Sequence, residues 1–194
     1  MSERVKKKSA IKKKILENSL NLFANKGFDG TSMRDIAKAV GVTLPTIYYH
    51  FTNKEGLYKA VFQEVMENFL KVTATAAIGI DEIKEQLISM SMAKYKFVAN
   101  NQDMMLLYMR ELYNPNGLNS LIEGVSKGVK RFEILIRKGI KKGEFREIDL
   151  NLASWFLMGV FNIFDIRIIT SGKLPSEEEI RSIVELALNG INIK

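Results

Sequence analysis

The stretch Gly41–Phe51 reads GVTLPTIYYHF. It holds the chain's only histidine, His50, one of its three prolines, Pro45, and two adjacent tyrosines, Tyr48 and Tyr49. A helix buried on all sides does not crowd polar aromatics, a histidine and a proline together. Upstream, SMRD (Ser32–Asp35) is a capping-box pattern that starts a short helix through about Val40, which stops at Gly41. Downstream, Thr43 is an N-cap and Pro45 falls in the first turn, where a missing N–H costs nothing. That second helix ends near Phe51. Two short helices joined at Gly41-Val42 make a helix-turn-helix. Ile36, Ala37, Val40, Ile47 and Phe51 are its expected inward residues.

The second helix of this motif enters the major groove with its first residues toward base edges. Here those residues are Thr43, Leu44, Pro45 and Thr46. Leu44 and Pro45 have no base-edge donor and suit a thymine methyl, while Thr46 can donate or accept. Tyr49, His50 and Lys54 then fall where a strand backbone passes, and all three carry phosphate donors. Thr31 and Ser32, with the free N–H groups of the preceding helix start, form a second anion-binding point. Tyr48 belongs to the same DNA-facing set but, three residues before Phe51, is expected to pack between helices.

Charge supports this placement. The net charge of the 194 residues is +7, and residues 1–58 carry 11 Lys and Arg against 5 Asp and Glu, a net of +6. A local basic field attracts a polyanion such as DNA, although a solvated lysine tail would give the same count. Lys6–Lys8 and Lys12–Lys14 read as a mobile arm and a solvated face, with a minor-groove role as the lesser alternative. The chain has no cysteine and one histidine, which excludes a disulfide framework, a thiol nucleophile and a histidine metal cluster; no metal or cofactor is expected. With no Gly-rich phosphate loop either, few catalytic groups remain and no enzyme is expected. No apolar run approaches the roughly 18 residues of a membrane span, and the basic start lacks a signal peptide's apolar stretch. A soluble cytoplasmic protein with no membrane partner is expected.

Almost all of the chain has helical periodicity. The first helix spans about 9–25, with Ile11, Ile15, Leu16, Leu20 and Phe23 inward, and NKGFDGTS ends it at Gly27. A long helix starts at the capping box TNKE, Thr52 to Glu55, with Leu57, Val61, Val65, Phe69 and Val72 on one face. Asp81 can cap a helix over about 82–99. Further helices cover about 102–113, ending at NPNG, about 118–142 and about 149–171. The last, about 176–190, starts at SEEE, where Ser176 caps and Glu179 reaches back. The fold class is all-α: an N-terminal three-helix domain with the helix-turn-helix over 1–58, and a C-terminal helical domain over 59–194, their boundary lying in the long helix.

Residues 9–60 resemble the DNA-binding domain of the TetR family of transcriptional regulators. The ordered matches are Phe23, Ala24, Gly27 and Phe28; Thr31 or Ser32 with Ile36 and Ala37; Gly41, Val42, Ile47, Tyr48, Tyr49, His50 and Phe51; and Lys54, Glu55 and Leu57. Leu44-Pro45 departs from the small or basic residues common there. The resemblance implies about nine helices and a C-terminal domain that binds a small molecule and dimerises through its last two helices. It also implies a homodimer on a palindromic double-stranded DNA operator, acting as a repressor and released by a small-molecule inducer.

The C-terminal part is rich in methionine and aromatics, which suit an adaptable apolar pocket. In this reading an apolar inducer enters among the fifth to eighth helices. The candidates to line its site are Met92, Met105, Tyr108, Met109, Trp155, Met158, Phe161 and Asp165. Ile180, Val184, Ala187 and Leu188 of the last helix are the expected dimer seam, beside a preceding helix that is apolar on more than one side. The alternative is a non-specific or architectural DNA-binding protein without a sensor, which would have no use for such a pocket.

Overall fold

The structure, a computed structural model, describes residues 3–112 and 119–189, with only the backbone for 3–7 and 119–123. The expected helix end at NPNG, 114–117, and the expected helix start near 118 lie outside the described residues. Among the described residues there are ten helices and no β-strand: α1 (Glu3–Lys26), α2 (Met33–Val40), α3 (Leu44–His50), α4 (Lys54–Ala76), α5 (Ile83–Asn100), α6 (Gln102–Leu112), α7 (Asn119–Lys142), α8 (Leu150–Phe161), α9 (Asp165–Ser171) and α10 (Glu177–Asn189).

The chain forms two compact units. The first holds α1–α3, α4 as far as Met66, and α6; the second holds α4 from Glu67, α5, and the chain from Ile122 on. The division therefore falls inside α4, later than the expected 58/59, and α6 belongs with the helix-turn-helix rather than with the C-terminal helices.

In the first unit, α1 starts at Glu3, earlier than expected, and buries Ile15, Leu16, Phe23 and Ala24. It ends where Gly27 takes φ 77°, a left-handed turn that glycine adopts without strain, and the Arg110 guanidinium packs where a side chain there would sit. Ser32 caps α2 by accepting from Asp35 N–H at 3.1 Å, while the Asp35 carboxylate accepts from Ser32 N–H at 3.0 Å. Gly41, φ 76°, ends α2, and its N–H donates to Ala37 at 3.0 Å. The helix-turn-helix buries Ile36, Ala37, Val40, Ile47 and Phe51, as its pattern requires.

The start of α4 is held by Asn53, whose side chain accepts from Gly56 N–H at 2.8 Å, and not by the expected Thr52–Glu55 box. Leu57, Tyr58, Val61 and Phe62 are buried, whereas Val72 on the expected apolar face is exposed. α6 packs along α1. Asp103 accepts from Asn21 at 2.8 Å, and the buried Glu111 accepts a short hydrogen bond from the Tyr58 hydroxyl. Burial, then that carboxylate, pushes the Tyr58 phenol well above its ordinary range. Its ring stands edge-on to Phe23 and Phe28, with centroids 4.8 and 5.1 Å away.

In the second unit, α5 packs against α9 and α10. Glu85 and Arg181 pair through two oxygens at 2.6 and 3.1 Å. Asp81 does not cap α5; it accepts from Lys138 and Lys142 of α7 at 3.2 and 2.8 Å. Arg131 of α7 reaches the Thr73 hydroxyl at 3.0 Å on the second half of α4. Ser176 and Glu179 form the expected box at the start of α10.

The expected single helix over 149–171 is broken into α8 and α9. The Phe161 carbonyl, the normal partner of Asp165 N–H, is taken by Lys94 Nζ at 2.5 Å and by the Tyr95 hydroxyl at 3.2 Å. Asp165 N–H turns instead to Asn162 O at 3.1 Å. The stretch Leu150–Ser171 is in fact long and apolar enough, by length and composition, to cross a membrane, against the sequence expectation. It is interrupted at this break, and Asp165 within it is buried and ion-paired.

Candidate nucleic-acid interface

The reading helix α3 begins after Thr43, whose hydroxyl makes no cap hydrogen bond but lies 2.8 Å from that of Thr46. With Pro45 in the first turn, α3 opens with Thr43 and Pro45 exposed and Leu44 and Thr46 half-buried. These four residues share the N-terminal turn, and the helix is fixed from behind by Ile47, which is fully buried. Tyr48 is 49% exposed, so it does not pack between helices as expected, and Tyr49 is 70% exposed. Both phenols stand on the outer side of α3.

Beside them, His50 is half-buried, its ring edge-on to Tyr49 with centroids 5.3 Å apart. Burial first, then the cations Lys8 and Lys12, lower its pKa, so the free protein carries it as a neutral imidazole at pH 7. Lys8 Nζ donates to the Tyr49 hydroxyl at 3.0 Å. Lysines of α1 therefore flank the C-terminal end of the reading helix, which the sequence did not indicate.

Two expected phosphate contacts are otherwise engaged. Thr31 is 1% exposed, and its hydroxyl donates to Gly27 O at 2.8 Å and Leu22 O at 3.2 Å, tying the α1–α2 turn together. A hydroxyl held that way inside the fold is not a surface donor. Lys54 Nζ donates to Phe28 O at 3.0 Å and lies 4.1 Å from the Phe28 ring centroid, so it clasps the same turn. Ser32 remains exposed at the N-terminus of α2, although its side chain is held by Asp35. That hydrogen bond keeps the Asp35 carboxyl below its ordinary pKa, and its charge weakens the attraction of this helix start for a further anion.

Two family models match the chain. Bacterial regulatory proteins, tetR family, covers residues 15–61, the helices just described, and a tetracyclin repressor-like C-terminal domain covers residues 81–191. The chain is a member of the TetR family of transcriptional regulators. It is 31% identical over 147 residues to Probable HTH-type transcriptional regulator YttP of Bacillus subtilis (strain 168), covering 74% of this chain and 71% of that one. It is 24% identical to IcaR of Staphylococcus aureus, a negative transcriptional regulator of the biofilm operon icaADBC, over 92% of this chain and 99% of the other. A TetR family transcription regulator from Marinobacter aquaeolei VT8 has the same fold, with a TM-score of 0.81 at 16% identity over 97% of this chain and 99% of that one. These are regulators of transcription and not enzymes.

The C-terminal part of this TetR family member departs from the sequence expectations. The eight expected ligand residues are divided between the two units. Met105, Tyr108 and Met109 sit on α6 in the first unit, with Met105 buried. Met92 is half-buried on α5, Met158 packs over Gly128, and Trp155 is half exposed. Asp165 is occupied by Lys94 at 2.6 Å, both side chains being almost wholly buried. Of the eight, Phe161 lines an apolar cavity among the described residues of the second unit, beside Leu87, Ser91 and Tyr95 of α5, Phe132 of α7 and Val184 of α10. That cavity holds about 10 Å3, room for one water at most.

The four expected seam residues are covered within the protomer. Ile180, Val184, Ala187 and Leu188 are 2–5% exposed in the single protomer, on a helix packed against α5 and α8. A side chain already covered by its own chain is not available to a second copy. Among the exposed apolar residues are Leu152, Trp155 and Phe156 of α8, Ile163, Ile166 of α9 and Leu186 of α10.

Proposed function

We propose that this protein is a dimeric repressor that binds a palindromic operator through α3 and leaves it when a small apolar inducer enters the second unit. The observation that carries the reading is the first unit's outer face. Threonines and a proline open a short helix, two exposed phenols and a neutral histidine close it, and α1 lysines flank it. Thr43, Leu44, Pro45 and Thr46 meet base edges, with Thr46 as the hydrogen-bonding member. Tyr48, Tyr49 and His50 meet phosphates, and Ser32 adds a contact at the start of α2. IcaR, similar over nearly the whole chain, is a negative regulator, which favours repression.

The homodimer forms on the exposed apolar residues of α8 and α9, and its two-fold axis sets a pair of reading helices about 34–36 Å apart, one turn of B-DNA. The inducer is taken by the apolar cavity among α5, α7, α8 and α10, which widens to admit it. It binds the non-operator conformation more tightly than the operator-bound one, since equal affinity for both would shift nothing. The protein works in the cytoplasm, where its operator lies.

Selection of binding sites from random duplexes, followed by a gel shift, tests the reading. A selected inverted repeat with half-sites one helical turn apart supports it. Equal affinity for the selected and random duplexes at every salt concentration would point to architectural binding instead.

A further inference from the structure

We infer that the N-terminal half of α1 is part of the DNA interface, where Lys8 and Lys12 form with Tyr49 and His50 of α3 a clamp for one backbone phosphate. This rests on the reading of α3 as the DNA-facing helix and adds to it an element that neither the helix-turn-helix pattern nor the first family model, which starts at residue 15, contains.

Four observations build the clamp. Lys8 and Lys12 are one helical turn apart and so share a face of α1. Lys8 Nζ is held by the Tyr49 hydroxyl at 3.0 Å and lies 4.7 Å from that ring's centroid, while Lys12 Nζ lies 6.0 Å from the ring of Phe51. Among the described residues neither lysine has a carboxylate partner, whereas Lys13, on another face, pairs with Glu17 at 3.7 Å. Finally, His50 sits beside Tyr49, and the charged groups that act on it are the two cations Lys8 and Lys12 of α1.

Cations brought together without an anion repel one another, and the lowered pKa of His50 is the imprint of that field, after burial. A phosphate arriving between Lys8 and Tyr49 reverses the field. It accepts from the ammonium and the phenol, and it raises the pKa of the imidazole. His50 then binds a proton as DNA binds. The sign follows: a group whose pKa rises on complex formation makes the complex tighter as pH falls toward its free value. Because His50 is the only histidine of the chain, the protein's own proton uptake in the range of about pH 5.5–7.5 is assignable to it.

The test is fluorescence anisotropy of the full-length protein on its selected duplex and on a random duplex of equal length, from low to high salt and at several pH values. Lys8→Ala should lower the slope of log K against log salt by about 0.9 per clamp, about twice that for a dimer, on both duplexes alike. Lys8→Arg should restore it, and Lys12→Ala should act in the same direction. Wild-type affinity should rise as pH falls, and His50→Gln should flatten that rise. Loss of affinity in Lys8→Ala with an unchanged salt slope would mean that the lysine merely props Tyr49, and the clamp would be wrong. The clamp would equally be wrong if wild type and His50→Gln shared one pH profile. Failure of wild type to bind either duplex at low salt would instead overturn the reading of α3 itself.

Discussion

Lys94→Met tests what holds the α8–α9 break. Lys94 and Asp165 are each 2% exposed, with nitrogen and oxygen 2.6 Å apart. Burial lowers the Lys94 pKa to about 8, against the pull of Asp165, so the ammonium is charged at neutral pH. Methionine fills similar volume but leaves Asp165 as a lone buried carboxylate and frees the Phe161 carbonyl of one donor. Breaking a buried pair from one side costs about 3–5 kcal/mol. For a chain of this size each kcal/mol moves the thermal midpoint by about 2–4 °C, so the midpoint should fall by about 6–20 °C. The assay is thermal and urea unfolding followed by circular dichroism at fixed protein concentration, with an unchanged urea slope as the check that only stability moved. The deficit should shrink in acid. Burial raises the Asp165 pKa above its unfolded value, so the neutral form is favoured in the fold, and the contribution is greatest at low pH and lost as pH rises. The double variant Lys94→Met/Asp165→Leu removes both charges and should return to within about 1 kcal/mol of wild type. A single variant no worse than a surface substitution, about 0.5 kcal/mol, would refute the assignment. So would a double variant as unstable as the two singles added together.

Thr31→Val should cost about 1–2 kcal/mol of stability, by removing a buried hydroxyl from two carbonyls, and should leave the salt slope of DNA binding unchanged; a smaller slope would return Thr31 to the phosphates. Phe156→Asp, on the exposed apolar residues of α8, should yield folded monomers in ultracentrifugation, whereas Leu188→Asp should unfold the second unit before it dissociates anything; the reverse pattern would restore the seam to α10. Glu179 is held down to about 2, first by Arg167 and then by the Ser176 N–H, so its contribution is present above its ordinary value near 4.5 and is lost as pH falls toward 2. The thermal midpoint should therefore drop over that interval in wild type and drop less in Glu179→Gln; superimposable acid profiles would count against the Arg167–Glu179 pair.

The helix-turn-helix was legible because its signals are local. A serine with an aspartate three residues on, a glycine at a left-handed cap and a proline in a first turn each act within a few residues, and each does so here. What failed was decided by distant chain. Thr31 and Ser32 are neighbours with the same chemistry, yet one hydroxyl is buried against Leu22 and Gly27 and the other caps α2. No pattern inside the motif separates them. Lys94 sits between Ala93 and Tyr95 like any surface lysine, and its partner lies 71 residues away. That pair is also why one apolar run of 22 residues became two helices. α6 reads as another C-terminal helix, and its packing along α1, with the Tyr58–Glu111 and Asn21–Asp103 contacts, assigns it to the first unit.

The dimer residues show the same limit in a sharper form. The stripe Ile180, Val184, Ala187 and Leu188 requires that one face of α10 be covered, and it does not say by what; the protomer's own α5 and α8 are enough. α8 poses a different demand. Ala153, Ser154, Leu157 and Phe161 face inward, while Leu152, Trp155 and Phe156 remain 50–69% exposed on the same helix. Ile163, within the break, and Ile166 of α9 are exposed as well. α8 is thus apolar on two sides and is covered on one of them within the chain. The second copy proposed above would cover these side chains, which the protomer itself leaves exposed.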